Sequence, residues 1–219
     1  MPSKFVLRDF TEENTYHIYN KSVDGKPFFK DDKDYQTFIY YLTIYTLPLE
    51  KVLEKYPNLP FRLRYNNIAQ DVDILSFLLL PNRFHILARL HTKEGISRLI
   101  KQITNAYTQH YNKKYQTSGP LVAGRFKSCQ IEVEKDLINL TRFLDRQPQE
   151  SIEQNFTTYP YSSYHEYASE KKDTITKQRL IRSFLNTPQS YKNFINDTED
   201  YNASLPTLNK IIMHKAKKS

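Results

Sequence analysis

The spacing of apolar positions along this chain changes several times, and each change marks a new element. Tyr16-His17-Ile18-Tyr19-Asn20 alternates as a short β-prone run, and the turn-like Asp24-Gly25-Lys26-Pro27 follows it. From Asp31 the residues Tyr35, Phe38, Ile39 and Leu42 recur at helical spacing behind an acidic first turn, which predicts a helix over about 32–45. The Pro-containing stretch 47–60 reads as a loop or a broken helix. Residues 68–80 predict a strand, Pro81-Asn82 a turn and 84–91 a second strand, and so short a connection makes the pair an antiparallel hairpin. The clearest helix spans 94–114: Ile96, Leu99, Ile100, Ile103 and Tyr107 form one apolar stripe, with Lys and Gln on the other face. Beyond it the pattern predicts a strand over 129–133 and a helix over 135–146 ended by Pro148. Helical spacing returns at 177–185 and 191–195, ahead of the basic tail His214-Lys215-Ala216-Lys217-Lys218.

The order β, α, β, β, α, β, α predicts an α+β fold, a small antiparallel sheet with helices on one face. Residues 1–167 make the main domain, and 168–219 a helical C-terminal extension with a basic tail. A length of 219 residues with 39% hydrophobic and 14% aromatic content suffices for one well-buried domain. The formal net charge of +8 favours a polyanionic partner, nucleic acid first and an anionic membrane surface second. No apolar run approaches the roughly 20 residues that span a bilayer, and Met1 to Phe10 lacks the zones of a signal peptide, so a cytoplasmic protein is expected. Cys129 is the only cysteine, so neither an internal disulfide nor a Cys-based zinc site can form, and any metal must be held by His, Asp, Glu or amide oxygens. Phosphate-binding GxxxxGK[ST], GxSxG and HExxH patterns are all missing.

Four stretches carry a resemblance: Tyr16-His17-Ile18-Tyr19-Asn20-Lys21, the run Pro81 to Leu87, Gly124-Arg125-Phe126-Lys127, and Tyr159-Pro160-Tyr161-Ser162-Ser163-Tyr164. In this order they resemble the single-tyrosine HUH transposases, and more narrowly the REP-associated tyrosine transposases. The resemblance covers most of the chain and implies a ferredoxin-like domain acting on single-stranded or hairpin DNA. It also implies a His-x-His pair on one strand face, a divalent ion such as Mg²⁺ or Mn²⁺, and a helix tyrosine followed four residues later by Gln or Asn. Two of the matching positions depart from that pattern. Arg83 stands where the first His belongs and Phe143 where the nucleophile belongs, while His85 and Gln147 are retained as implied metal ligands. An Arg does not deprotonate to ligate a metal, and Phe has no oxygen to form a phosphotyrosine.

The expectation is therefore a transposase-like binder of single-stranded or hairpin DNA that cleaves poorly or not at all. Arg83 takes the place of metal charge, and Arg125, Lys127, Arg142 and Arg146 contact phosphates. Each of these residues also has a plainer reading: His85 as a hydrogen-bonded strand histidine, Phe143 as core packing, Arg83 as a partner of Asp145, and the other cations as solvated surface charge. Two alternatives stay open. One is an active metal-dependent strand transferase with a displaced nucleophile, Tyr107 and Tyr111 being the nearest helix candidates. The other is an RNA-binding or scaffold subunit of a larger complex. An active enzyme needs Mg²⁺ or Mn²⁺ and a silenced one needs no cofactor; neither charge nor periodicity decides the oligomeric state.

Overall fold

The computed structural model describes residues 10–170 and 174–216, with side chains described through 209. The side chains of the basic tail at 214–218 lie outside the described residues. Four strands form one antiparallel sheet in the order β2-β3-β1-β4: β1 (Thr15–Lys21), β2 (Val72–Leu80), β3 (Arg83–Leu90) and β4 (Lys127–Ile131). This strand order, with a helical connection between β1 and β2 and another between β3 and β4, is the ferredoxin-like arrangement expected from the element order.

Helix α1 (Asp32–Thr46) begins where the Asp31 side chain accepts the Asp34 N–H, which satisfies one of the donors left unpaired at a helix start. Two short helices, α2 (Leu49–Lys55) and α3 (Phe61–Tyr65), fill the stretch before β2 that the prolines left ambiguous. Helix α4 (Gly95–Tyr115) lies beside α1, and together they cover one face of the sheet through Ile18, Phe38, Leu42, Phe84, Ile86, Leu99 and Ile103. Gly95 is required at the start of α4: a Cβ there would sit 2.6 Å from the Asp71 carbonyl oxygen, a backbone atom that already accepts the His91 N–H.

The other face is covered as well. Strand β2 is apolar on both sides, with Ile74, Phe77 and Leu79 turned to the first layer and Leu75, Leu78 and Leu80 to the second, so a single helical layer would leave half of it in water. Helix α5 (Glu134–Ile152) supplies Leu137, Leu140 and Leu144 to this second core. After α6 (Tyr164–Tyr167) and α7 (Arg179–Arg182), helices α8 (Pro188–Asn196) and α9 (Thr198–Ala216) complete it with Tyr191, Ile195 and Leu208. Pro148 does not end α5 as expected. The helix runs through it to Ile152: the proline gives up its N–H bond and crowds the carbonyl four residues back, and burial of Pro148 together with Leu144 offsets that cost.

Strand β4 begins two residues earlier than the pattern suggests, which brings Lys127 into the sheet opposite Tyr19. The segment Tyr159–Tyr164 acts as an edge clamp on β2. Leu79 N–H donates to the Tyr161 carbonyl at 2.9 Å, Ser163 N–H donates to the Phe77 carbonyl at 2.9 Å, and the Tyr159 hydroxyl donates to the Leu79 carbonyl at 2.5 Å. A sheet edge that would otherwise offer unpaired backbone groups is thereby closed. Among the described residues, no helix is long and apolar enough to cross a membrane.

Candidate nucleic-acid interface

Alternation along the strands decides which side chains face α5. On β3 these are Arg83, His85 and Leu87, since Phe84, Ile86 and Ala88 belong to the first core. On β1 they are His17, Tyr19 and Lys21, and on β4 Lys127 and Cys129. The antiparallel register sets Tyr19 opposite His85, Lys21 opposite Arg83, and Tyr19 opposite Lys127. Cations therefore cluster at one end of the sheet face, around a pair of histidines.

Three of the four positions singled out for catalysis and metal binding converge at this end of the sheet face, where it meets α5, and this cationic seam is the candidate cleft. The Arg83 guanidinium is half-buried and donates through Nη2 to Gln147 Oε1 at 3.3 Å and to Ser151 Oγ at 2.8 Å, while Ser151 Oγ donates to the same Gln147 oxygen at 3.1 Å. His85 follows two residues along β3. Phe143, the fourth position, sits one turn before Gln147 on α5 and packs against the second core. The continuation of α5 through Pro148 matters here, since it places Ser151 within reach of Arg83. Burial pulls the Arg83 guanidinium below its usual pKa, but an Arg stays protonated under such conditions.

Asp145 is not the partner of Arg83. It is fully buried on the far side of α5, where its Oδ2 accepts the Tyr191 hydroxyl, and burial pushes its carboxyl up to about 7.

The principal residue missed in the sequence is His17. Its Nε2 lies 3.0 Å from His85 Nδ1, and the two rings are stacked with centroids 5.3 Å apart. Tyr19 joins the stack, 5.2 Å from His17 and 5.6 Å from His85, and the Lys127 ammonium stands 5.8 Å from the centre of its ring. Burial lowers the pKa of His17 to about 4 and holds His85 well below the ordinary histidine value, with His17 and Arg83 adding to the effect on His85. Both imidazoles are thus neutral at pH 7, and the positive field of the cleft comes from Arg83, Lys21 and Lys127. His17 Nδ1 and His85 Nε2 are buried without a hydrogen-bond partner. The alternation of Tyr16-His17-Ile18-Tyr19 was readable in the sequence, but only the β1–β3 register shows that His17 meets His85.

The implied metal ligands are not assembled as a set. Gln147 Oε1 accepts from Arg83, His85 turns Nδ1 to a second imidazole and keeps only its buried Nε2 without a partner, and no cluster of three His, Cys, Asp or Glu side chains occurs among the described residues. A cation at Gln147 would have to displace a guanidinium.

The remaining expected contacts divide. Lys127 and Arg125 are exposed, Lys127 on the cleft face and Arg125 in the loop just before β4. Gly124 shapes that loop with a φ of +61°, a conformation that glycine adopts without a Cβ clash. Arg142 is corrected. It is completely buried, ion-paired with Asp200 at 2.8 Å, bonded to Asn139 Oδ1 at 3.1 Å and stacked on the Phe194 ring at 4.1 Å, so it fastens α5 to the C-terminal helices and reaches no solvent. Arg146 does similar work, donating to the Ile195 carbonyl at 2.9 Å and lying 4.5 Å from the centre of the Tyr201 ring. Tyr107 and Tyr111 are corrected as displaced nucleophiles. Both are buried in the first core, across the sheet from the cleft, and their hydroxyls donate to the Phe28 and Pro27 carbonyls.

No protein-family model and no curated protein matches this sequence. Among solved structures, the chain is similar to a REP-associated tyrosine transposase bound to a REP hairpin. The likeness has a TM-score of 0.49 at 14% identity and covers 76% of this chain and 86% of that one. This is a distant likeness of fold; the α+β, ferredoxin-like assignment stands on the strand order itself.

Proposed function

We propose that this protein binds single-stranded or hairpin DNA over the cationic end of the sheet face, in the cleft beside α5, without performing tyrosine-based strand transfer. The observation that supports this reading is the Arg83–Gln147 contact, in which a fixed positive charge fills the place where the resembled family would put a metal ion. A guanidinium there offers planar donors to a phosphate oxygen, so backbone binding survives while Lewis-acid activation does not. Lys21 and Lys127 extend the positive field along the strand ends, and Tyr19 presents a ring beside them on which an unpaired base can stack. Phe143 fills the nucleophile position with carbon alone. Arg142 and Arg146 are left out of the phosphate-contacting set because the C-terminal helices hold them.

The test compares wild type with the double substitution Arg83→His plus Phe143→Tyr on hairpin-bearing oligonucleotides with Mn²⁺ present. Nicking by the revertant alone, with similar binding by both proteins, supports the reading; nicking by wild type contradicts it. A second reading, an active strand transferase, has one structural candidate. Tyr19 is the tyrosine that lies on the cleft face beside His85 and Lys127. That reading requires wild-type nicking that vanishes in Tyr19→Phe.

A further inference from the structure

The face of the molecule turned away from the cleft carries its own basic groove. It is a hollow of about 590 Å³ between α1, α3 and α4, walled by Tyr41 and Tyr45 on one side and by Arg62, Arg98, Lys101 and Lys113 on the others. A second hollow of about 480 Å³ adjoins it, shares Lys101 and Asn105, and ends at Arg125 and Phe126. Neither lining contains an Asp or a Glu. Helix α4, whose outer face forms the floor, has no acidic residue anywhere in its 21 positions, although the chain as a whole holds 24 acids against 32 Lys and Arg. Arg98 is paired with Asp71, but Arg62, Lys101, Lys113 and Arg125 have no ion-pair partner among the described residues.

A further observation points to a ligand. On α3, which lines the larger hollow through Arg62, Leu63 and the C-cap Asn66, Phe61 and Tyr65 stand at 79% and 80% exposure, the two most exposed large apolar side chains among the described residues. Their i, i+4 spacing turns both rings to the same side of α3. Left in water, two adjacent aromatic rings beside unpaired cations gain nothing for the fold.

We propose that this groove is a second nucleic-acid site, which takes a single-stranded segment continuous with the DNA held in the cleft. Cations without carboxylate neighbours bind the phosphates, and the exposed rings of Phe61 and Tyr65 stack on bases, which only an unpaired strand can offer. The path between the two sites is short in sequence: Arg125 lines the second hollow and Lys127, two residues on, faces the cleft, so a strand passing around this end of the sheet meets cations throughout. The assignment of the groove rests on its own residues, and its continuity with the cleft rests on the reading given above.

The test measures binding by fluorescence anisotropy for a bare hairpin, for the same hairpin with a single-stranded tail of about 16 nucleotides, and for the tail alone, a length within the range that single-strand sites cover. Four proteins are compared: wild type, a groove variant (Arg62→Ala, Lys101→Ala, Lys113→Ala), a ring variant (Phe61→Ala, Tyr65→Ala) and a cleft variant (Arg83→Ala, Lys127→Ala). All the altered groove and ring side chains are exposed, so folding is expected to survive, and circular dichroism checks it. The tail should tighten wild-type binding by about tenfold or more, and the groove and ring variants should lose that gain while binding the bare hairpin as wild type does. The cleft variant should lose hairpin affinity and keep affinity for the tail. An unchanged tail gain in both the groove and ring variants, or an equal gain from a duplex extension, overturns the second site. Undiminished hairpin binding by the cleft variant would instead overturn the cleft reading and leave the groove result standing.

Discussion

Replacing Arg142 with methionine separates a structural cation from a binding one. In the folded chain its side chain is wholly buried, while its partner Asp200 is 55% exposed, so removing the guanidinium strands a carboxylate that water can still solvate. Breaking a buried pair costs about 3–5 kcal/mol when the surviving charge is left dry. The exposure of Asp200 and the volume of the methionine put this case near or below the lower end, at about 2–3 kcal/mol, including the lost contacts with Asn139 and the Phe194 ring. Arg125→Ala, which removes an exposed side chain, should stay within about 0.5 kcal/mol of wild type. Urea unfolding measures both. Binding of a hairpin with a single-stranded tail at several salt concentrations should rank the two the other way: Arg125→Ala lowers the salt dependence by about one counterion, and Arg142→Met leaves it unchanged where the protein is folded. An Arg142→Met protein with wild-type stability and a reduced salt slope would refute the assignment of this residue to the scaffold.

Two other substitutions probe the scaffold. Asp145, pushed up to about 7 from an ordinary 3.8, holds its proton more tightly folded than unfolded, so it costs stability as pH rises from about 4 to 7. Asp145→Asn should therefore gain on wild type across that window, by an amount approaching about 4 kcal/mol at pH 8, and a difference that does not change with pH would show that burial does not govern this carboxyl. His17 and His85 act in the opposite sense. They bind fewer protons folded than unfolded, so stability falls as pH drops from 6.5 toward 4, and Asp145→Asn should steepen that acid loss. Gly95→Ala should destabilise by about 1–3 kcal/mol despite alanine's better helix propensity, since its methyl meets the Asp71 carbonyl; a stability gain in thermal unfolding would mean that the α4 start can shift.

The parts of the fold that were legible in the sequence are those where one periodicity persists. Helix α4 was read to within a residue because Ile96 through Tyr107 keep one stripe, and the β2–β3 hairpin because Pro81-Asn82 leaves room for one connection. Helix α5 was cut short at Pro148, since a local rule about proline says nothing of the packing that carries a helix past it. The second helical layer is hidden for a related reason: β2 is apolar on both faces, but the core over Leu75, Leu78 and Leu80 is built from Leu137, Leu140 and Leu144 of α5 and completed by Tyr191, Ile195 and Leu208, all far along the chain.

At the site, motif order brings out Arg83, His85 and Gln147, which share one end of the sheet face, whereas Phe143, one turn before Gln147, packs against the second core. It does not bring out the roles of Arg142 and Arg125, because charge type does not reveal burial. His17 escaped notice since its significance depends on strand register, which links positions 68 residues apart. Helix position alone makes Tyr107 and Tyr111 candidate nucleophiles, and the β-sheet between them and the cleft removes them.

The central claim is that the cleft grips a DNA strand without cutting it. Purified wild-type protein, mixed with a 5′-labelled hairpin oligonucleotide bearing single-stranded flanks in buffer with Mn²⁺, is followed in one sample for binding by anisotropy and for cleavage and covalent adducts by denaturing gel. The expected result is a salt-sensitive complex with the oligonucleotide recovered intact. A shortened product together with a protein–DNA adduct that maps to a tyrosine would contradict it.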